Sequence, residues 1–345
     1  MKTAHTGSVV LGLWALLGLC AFQAPAAGQD PPKPPPTPTP TPAPTPVPKP
    51  DEPEPPRDKM APLRISGIPD ADKEKLAKQY GTVTKWLSGE INRPVEFVPV
   101  SDYAAAVAGL AANKLDMVWL GGVTAVQAGE VTKGRAWPIF AREEDLKFKS
   151  YFIANKKLVD SGTFTVVEKR EPMPLEALAA LKSKFAAMTF TFGATTSTSG
   201  HIMPRYFLEQ AAVGIDPEKG FKSKPGFALT GGHSTVLNNV ASGAFDLGVM
   251  NYLSWEQAKD EQKLQAPVIF VTPEYMDYCM VIHGRLGPML TLRLQTMFIK
   301  LKPEVEAHKA VLDVFGTKRF VPISTDHLAP LRDIIKTARE RGILE

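Results

Sequence analysis

The chain has 345 residues, a net charge of +4 and 22% charged residues. A charge balance this mild, with basic and acidic residues interspersed, offers no footprint for nucleic acid. Two cysteines, Cys20 and Cys279, and six scattered histidines without ligand spacing argue against a disulfide scaffold and against a metal centre.

The N-terminus opens with Lys2 and an apolar run from Val9 to Leu19, the pattern of an export signal (1–26) with a cleavage site at Ala24-Pro25-Ala26. Lipidation at Cys20, after Leu17-Gly18-Leu19, and an uncleaved anchor are the other two readings. Each places the chain in the periplasm or cell envelope, and the last two tether it to a membrane. Residues 27–60 form a linker in which fifteen of the 32 prolines fall between Pro31 and Pro56. Proline at every second position blocks helix and sheet and favours polyproline II, so these residues reach roughly 80 Å. The segment is either a plain solvated linker or a spacer that holds the folded part off a membrane.

From Ala61 onward strands and helices alternate. Leu63–Ile68 reads as a strand. A helix over 72–88 follows, with Leu76, Tyr80, Val83 and Leu87 at helical spacing. Val95–Val100, helix 103–112 and Leu115–Leu120 complete a first βαβ series, which implies a parallel sheet. Strands at 152–154, 164–167 and 188–192, helices at 175–185, 201–212 and 234–242, and a strand at 246–250 make a second. Strands at 268–271 and 278–282 and helices at 290–300, 305–315 and 328–341 follow. The pattern predicts an α/β fold of two lobes, 61–150 plus 252–345 and 151–251.

Phe190-Thr191-Phe192-Gly193-Ala194-Thr195-Thr196-Ser197-Thr198-Ser199-Gly200-His201 carries the strongest chemistry. A strand leads through small and hydroxylic residues into a helix. The first-turn N–H groups of a helix have no internal partners, and its dipole favours negative charge. One N-cap needs one hydroxyl. Here Thr195 to Ser199 supply five, and Thr196, Ser197, Thr198 and Ser199 are the candidate anion ligands. His233, in Gly231-Gly232-His233-Ser234, either donates to an anion or caps a helix. Tyr103, Gly121, Gly122, Tyr151 and Asn251 stand at strand ends, where ligands bind in open α/β sheets. No Gly-x-Ser-x-Gly elbow surrounds Ser197 or Ser199, so a serine hydrolase is not supported and no enzyme is expected. Cys279, between Tyr278 and Met280, reads as a small buried hydrophobe.

Together Ile68-Pro69-Asp70, Val100–Tyr103, Leu115–Gly122, Lys149-Ser150-Tyr151, Ser197–Gly200 with Met203-Pro204, Gly232-His233-Ser234 and Gly243–Asp246 resemble the phosphate/phosphite/phosphonate periplasmic binding proteins of ABC transporters. Trp119–Gly122, Phe148–Asn155, Phe190–Gly193, Asn251-Tyr252, Trp255-Glu256 and Asp277-Tyr278 are similar to a subgroup described as selenate-binding. The resemblance implies a class II periplasmic-binding fold, two α/β lobes with a ligand cleft at a two-crossing hinge. It also implies a monomer that takes a small oxyanion, uses no cofactor and docks on an ABC permease. An envelope-tethered anion sensor without transport is the rival. Asn251 stands where relatives that hold an aminoalkyl tail use a carboxylate. A neutral amide pairs poorly with ammonium, which favours a compact anion.

Overall fold

The computed structural model describes residues 61–70, 73–214, 220–229 and 232–344. The expected signal, Cys20 and the proline-rich linker lie outside them. Eleven strands run β1 (Leu63–Gly67), β2 (Val95–Phe97), β3 (Met117–Leu120), β4 (Ala136–Arg142), β5 (Ser150–Ala154), β6 (Phe190–Phe192), β7 (Gly226–Phe227), β8 (Leu247–Asn251), β9 (Val268–Val271), β10 (Cys279–His283) and β11 (Phe320–Pro322). They form two sheets, in the orders β11-β4-β10-β3-β1-β2 and β7-β6-β8-β5-β9.

Both sheets use the same device. β1 lies parallel between β2 and β3, and β6 lies parallel between β7 and β8. The chain therefore reverses its winding direction beside β1 and again beside β6, and a crevice opens at the carboxyl ends of these strands. Each sheet is then completed by antiparallel strands. β10 inserts between β3 and β4, and β5 inserts between β8 and β9. Helices cover the faces, so β3, β5, β8 and β9 are buried at every position. The helix Lys73–Ile91 shows why periodicity works here: Tyr80, Val83, Leu87 and Ile91 are buried on one stripe.

Two segments link the sheets, and they pair with each other. Phe148 and Tyr275 exchange both backbone hydrogen bonds, at 2.8 and 2.9 Å. Asp277 N–H donates to the Asp145 carbonyl at 3.1 Å, and Ser150 N–H donates to Thr272 Oγ1 at 2.8 Å. The return crossing is thus 272–278. From sequence it falls after Asn251, which assigns 252–271 to the first lobe. β9 corrects this. Its apolar run pairs with β5 and belongs to the second sheet.

Other departures are local. The expected strand at 164–167 is irregular. That stretch borders β9 through single bonds, Val167 N–H to Val268 O and Met173 N–H to Val271 O. Pro172 and Pro174 supply no donors to continue a ladder. The helix expected over 175–185 is broken into Leu175–Ala179 and Lys182–Phe185. β4 and β11 have no counterpart among the sequence-predicted strands.

At the foot of the first sheet Asp116 is fully buried and accepts from Arg64 N–H at 2.7 Å and Arg285 Nε at 3.0 Å. Removing Arg285 would leave this buried carboxylate only the partly exposed Arg64 guanidinium, with its Nε 3.5 Å away. Arg285→Ala should therefore cost about 3 kcal/mol of unfolding free energy. Urea titration with an unchanged slope checks it, and a loss below about 1 kcal/mol would contradict this account of Asp116.

Candidate functional site

The hydroxyl-rich loop leaves β6 at Gly193 and returns at Gly200. Gly193 N–H donates to the Gly200 carbonyl at 2.8 Å, and a Cβ on Gly193 would stand 3.1 Å from the Gly200 Cα. Two glycines therefore let the chain close on itself. The loop ends in one wide π-helical turn, Thr198–Ile202, followed by the helix Met203–Gln210.

The five hydroxyls have separate fates. Thr195 is exposed and Thr196 half-buried, whereas Ser197, Thr198 and Ser199 are buried. Ser197 Oγ accepts from Gly200 N–H at 3.0 Å, so it is also the cap. Thr198 Oγ1 reaches across the cleft and accepts from Val123 N–H at 2.9 Å. In both cases a backbone donor occupies the oxygen and leaves the hydroxyl proton free to donate. Ser199 Oγ is buried and completes no hydrogen bond of full geometry among the described residues.

The first lobe supplies the facing wall. Gly121 and Gly122 begin the helix Gly122–Val131 after β3. A Cβ on Gly121 would come within 3.1 Å of Thr198 Oγ1 and 3.2 Å of Asp277 Oδ1. Gly122 N–H donates to Asp277 Oδ1 at 3.0 Å. Asp277 Oδ2, the Tyr103 hydroxyl and Ser199 Oγ are buried and complete no hydrogen bond of full geometry among the described residues, although Ser199 and Thr198 approach Asp277, and Ser197 approaches Tyr103, closely enough to favour the ionised forms. Buried polar atoms short of full partners are costly, and three gathered at one crevice make it a polar concavity. Burial pushes the Asp277 carboxyl up to about 7, against the Gly122 N–H and the Ser199 hydroxyl, which favour its ionised form. Burial likewise raises the Tyr103 phenol, which stays neutral.

A second buried group adjoins the loop. His233 Nδ1 accepts from Asn251 N–H at 3.2 Å, so its proton is on Nε2, facing Tyr278 Oη at 3.3 Å. Burial pushes its pKa down to about 3, which keeps it neutral. His233 thus sits inside the first turn of the helix Gly232–Ala241 and bonds Tyr278, a choice the sequence left open. Asn251 donates to Tyr278 Oη at 3.1 Å and accepts from Ser254 N–H at 2.6 Å.

The structure brings Tyr103, Gly121, Gly122, Ser197, Thr198 and Ser199 together around this crevice, with His233 and Asn251 behind them. It puts Tyr151 elsewhere, its hydroxyl 3.0 Å from Glu256 and its ring packed against Trp255. Strand alternation explains this: the neighbouring Ser150 points to the site instead, donating to the Ser199 carbonyl at 2.6 Å and bonding Tyr275 Oη. Sequence reasoning named Asp277 and Tyr278 only within a resemblance and passed over Ser150 and Tyr275 as binding residues. An Asp set directly before an apolar strand was the available signal.

Gly232 lies at φ +45°, and a Cβ there would be 3.0 Å from the Asp70 Cα of the opposite lobe. Gly232→Ala should act as a wedge between folded lobes. Small-angle scattering should give a larger radius of gyration than the parent, and identical curves would show that this contact does not limit closure.

Residues 65–328 match the family described as ABC transporter, phosphonate, periplasmic substrate-binding protein. The chain is 36% identical over 279 residues to a probable ABC transporter phosphite binding protein, PhnD1, of Prochlorococcus marinus, covering 79% of this chain and 88% of that one. It is 24% identical over 285 residues to the phosphonates-binding periplasmic protein of Escherichia coli, covering 81% and 78%. The structure of PhnD1 in complex with methylphosphonate superposes with a TM-score of 0.70 at 32% identity, over 82% of this chain and 98% of that one.

Proposed function

The chain belongs to the phosphonate periplasmic substrate-binding protein family of ABC transporters, whose members bind solutes rather than transform them, and from that premise we propose that it captures a compact, proton-bearing oxyanion of the phosphonate or phosphite type and presents it to a membrane permease. The observation that carries the reading is the buried Asp277 carboxyl set against the Ser197–Ser199 hydroxyls, with Tyr103 beside them.

A tetrahedral anion between the lobes accepts from Ser197, Thr198, Ser199 and Tyr103. The oxygens of Ser197 and Thr198 already accept from the N–H groups of Gly200 and Val123, which leaves their protons to donate. An anion at Asp277 must share a proton with it, since two bare negative charges in contact repel. A phosphonate or phosphite carrying P–OH donates that proton to ionised Asp277. Alternatively its dianion accepts one from protonated Asp277. Selenate carries no proton near neutrality and depends on Asp277 being protonated. It is therefore the poorer ligand above about pH 7, the value to which burial pushes this carboxyl. The site binds through neutral donors, and the buried Arg142 is held by Asp145.

Asp277→Asn removes the proton acceptor and keeps the shape. At pH 8 it should raise selenate affinity relative to methylphosphonate by roughly tenfold or more, one pKa unit of interaction being about 1.4 kcal/mol. Calorimetry reads this ratio, and an unchanged ratio would sink the proton-sharing account.

The same group sets a stability trend. Its folded pKa is above its unfolded value, so between about pH 4 and pH 7 the folded state binds more protons and Asp277 lowers stability as pH rises. Relative to the parent, ligand-free Asp277→Asn should gain melting temperature from pH 5 to pH 8. A constant difference across that range would contradict the shift.

A further inference from the structure

Behind the anion site lies a cavity of about 440 Å³ between the lobes, lined by Asp70, Trp119, Asn251, Ser254, Tyr278 and Phe315 among others. Cavities of this size hold organic groups of several carbons. Its lining does not include Tyr103, Asp277 or the Ser197–Ser199 loop. What stands between is a wall of two rings. His233 abuts the loop, its Cε1 3.2 Å from where a Cβ on Gly200 would be. Tyr278 follows, bonded to His233 and Asn251, and its ring lines the cavity.

Tyr278 is held from several directions. The Arg142 guanidinium lies 5.0 Å from its ring centroid, Trp119 stacks on it at 6.2 Å and 13°, and Phe148 meets it edge-on at 5.4 Å. The hydroxyl has two donors fixed on it, Asn251 Nδ2 and His233 Nε2–H, which prevents the ring from swinging aside without stranding buried polar groups. The ring is 3% exposed.

We propose that Tyr278 is the specificity-determining partition that limits the organic substituent of the anion to a compact one, and that the cavity behind it is a ready subsite for an uncharged alkyl or aryl tail once the ring is removed. Trp119, Phe315, Leu237 and Met250 offer such a tail apolar faces beside polar Gln79, Asn238 and Gln262, while Arg142 is engaged by Asp145 and Asp70 by the Tyr278 hydroxyl. This rests on the oxyanion reading of the Ser197–Ser199 site.

The test compares dissociation constants of methylphosphonate and phenylphosphonate by calorimetry for the parent, Tyr278→Phe, Tyr278→Val and Tyr278→Ala. The parent and Tyr278→Phe, which keeps the ring, should prefer methylphosphonate by at least a hundredfold. Tyr278→Val and Tyr278→Ala should narrow that preference at least tenfold. A parent that binds phenylphosphonate within tenfold of methylphosphonate overturns the partition, and so do folded Val and Ala variants that retain the parental ratio. If neither small variant folds, the parental ratio and Tyr278→Phe decide, since loss of discrimination in Tyr278→Phe assigns it to the hydroxyl and not the ring. Failure of the parent to bind methylphosphonate, phosphite or phosphate would instead refute the oxyanion reading itself.

Discussion

The backbone pairing of the two crossings is the interaction on which the rest depends. Phe148 and Tyr275 exchange both hydrogen bonds, and Asp277 N–H is tied to the Asp145 carbonyl one step further on. The Asp145 carboxylate in turn clamps Arg142, whose guanidinium lies over Trp119, Phe148 and Tyr278. A single short ribbon therefore fixes where the lobes pivot and which side chains enter the cleft. Ser150 and Tyr275 come from the ribbon itself, and Asp277 and Tyr278 leave it together, one toward the Ser197–Ser199 loop and one toward His233 and Asn251.

In the proposed mode of capture, anion affinity comes from the orientation of neutral groups. A fixed positive charge would attract any anion, whereas hydroxyl protons aimed by backbone donors reward a particular geometry. Neutral donors also make the single carboxyl decisive. In that proposed mode Asp277 is the carboxyl whose protonation must match that of the ligand, and burial brings its titration into the range where phosphonates and phosphite titrate too. His233, held neutral by burial, adds no charge that would blur the match.

Much of the fold was legible in the chain. Helices such as Lys73–Ile91 and strands such as β1, β3 and β9 carry their apolar periodicity openly, because burial of one face or of both is a local pattern. The hydroxyl loop was legible for the same reason. Glycines, hydroxyls and a following helix are contiguous, so their chemistry can be read without knowing the fold. The return crossing was not. An apolar strand at 268–271 looks alike whichever sheet accepts it, and only its pairing with β5 places it. The choice between Ser150 and Tyr151 was likewise open, since one residue of register decides which side chain faces the cleft.

By itself, then, the sequence determined the α/β class and the hydroxyl loop, both properties of neighbouring residues. Tertiary structure alone decided that Asp277, Tyr278 and Ser150 lie beside that loop and that only three of its five hydroxyls are buried. It also decided that Asn251 and His233 act through Tyr278. Those roles depend on contacts between residues far apart in the chain, such as Val123 with Thr198 and Gly122 with Asp277, which no local pattern records.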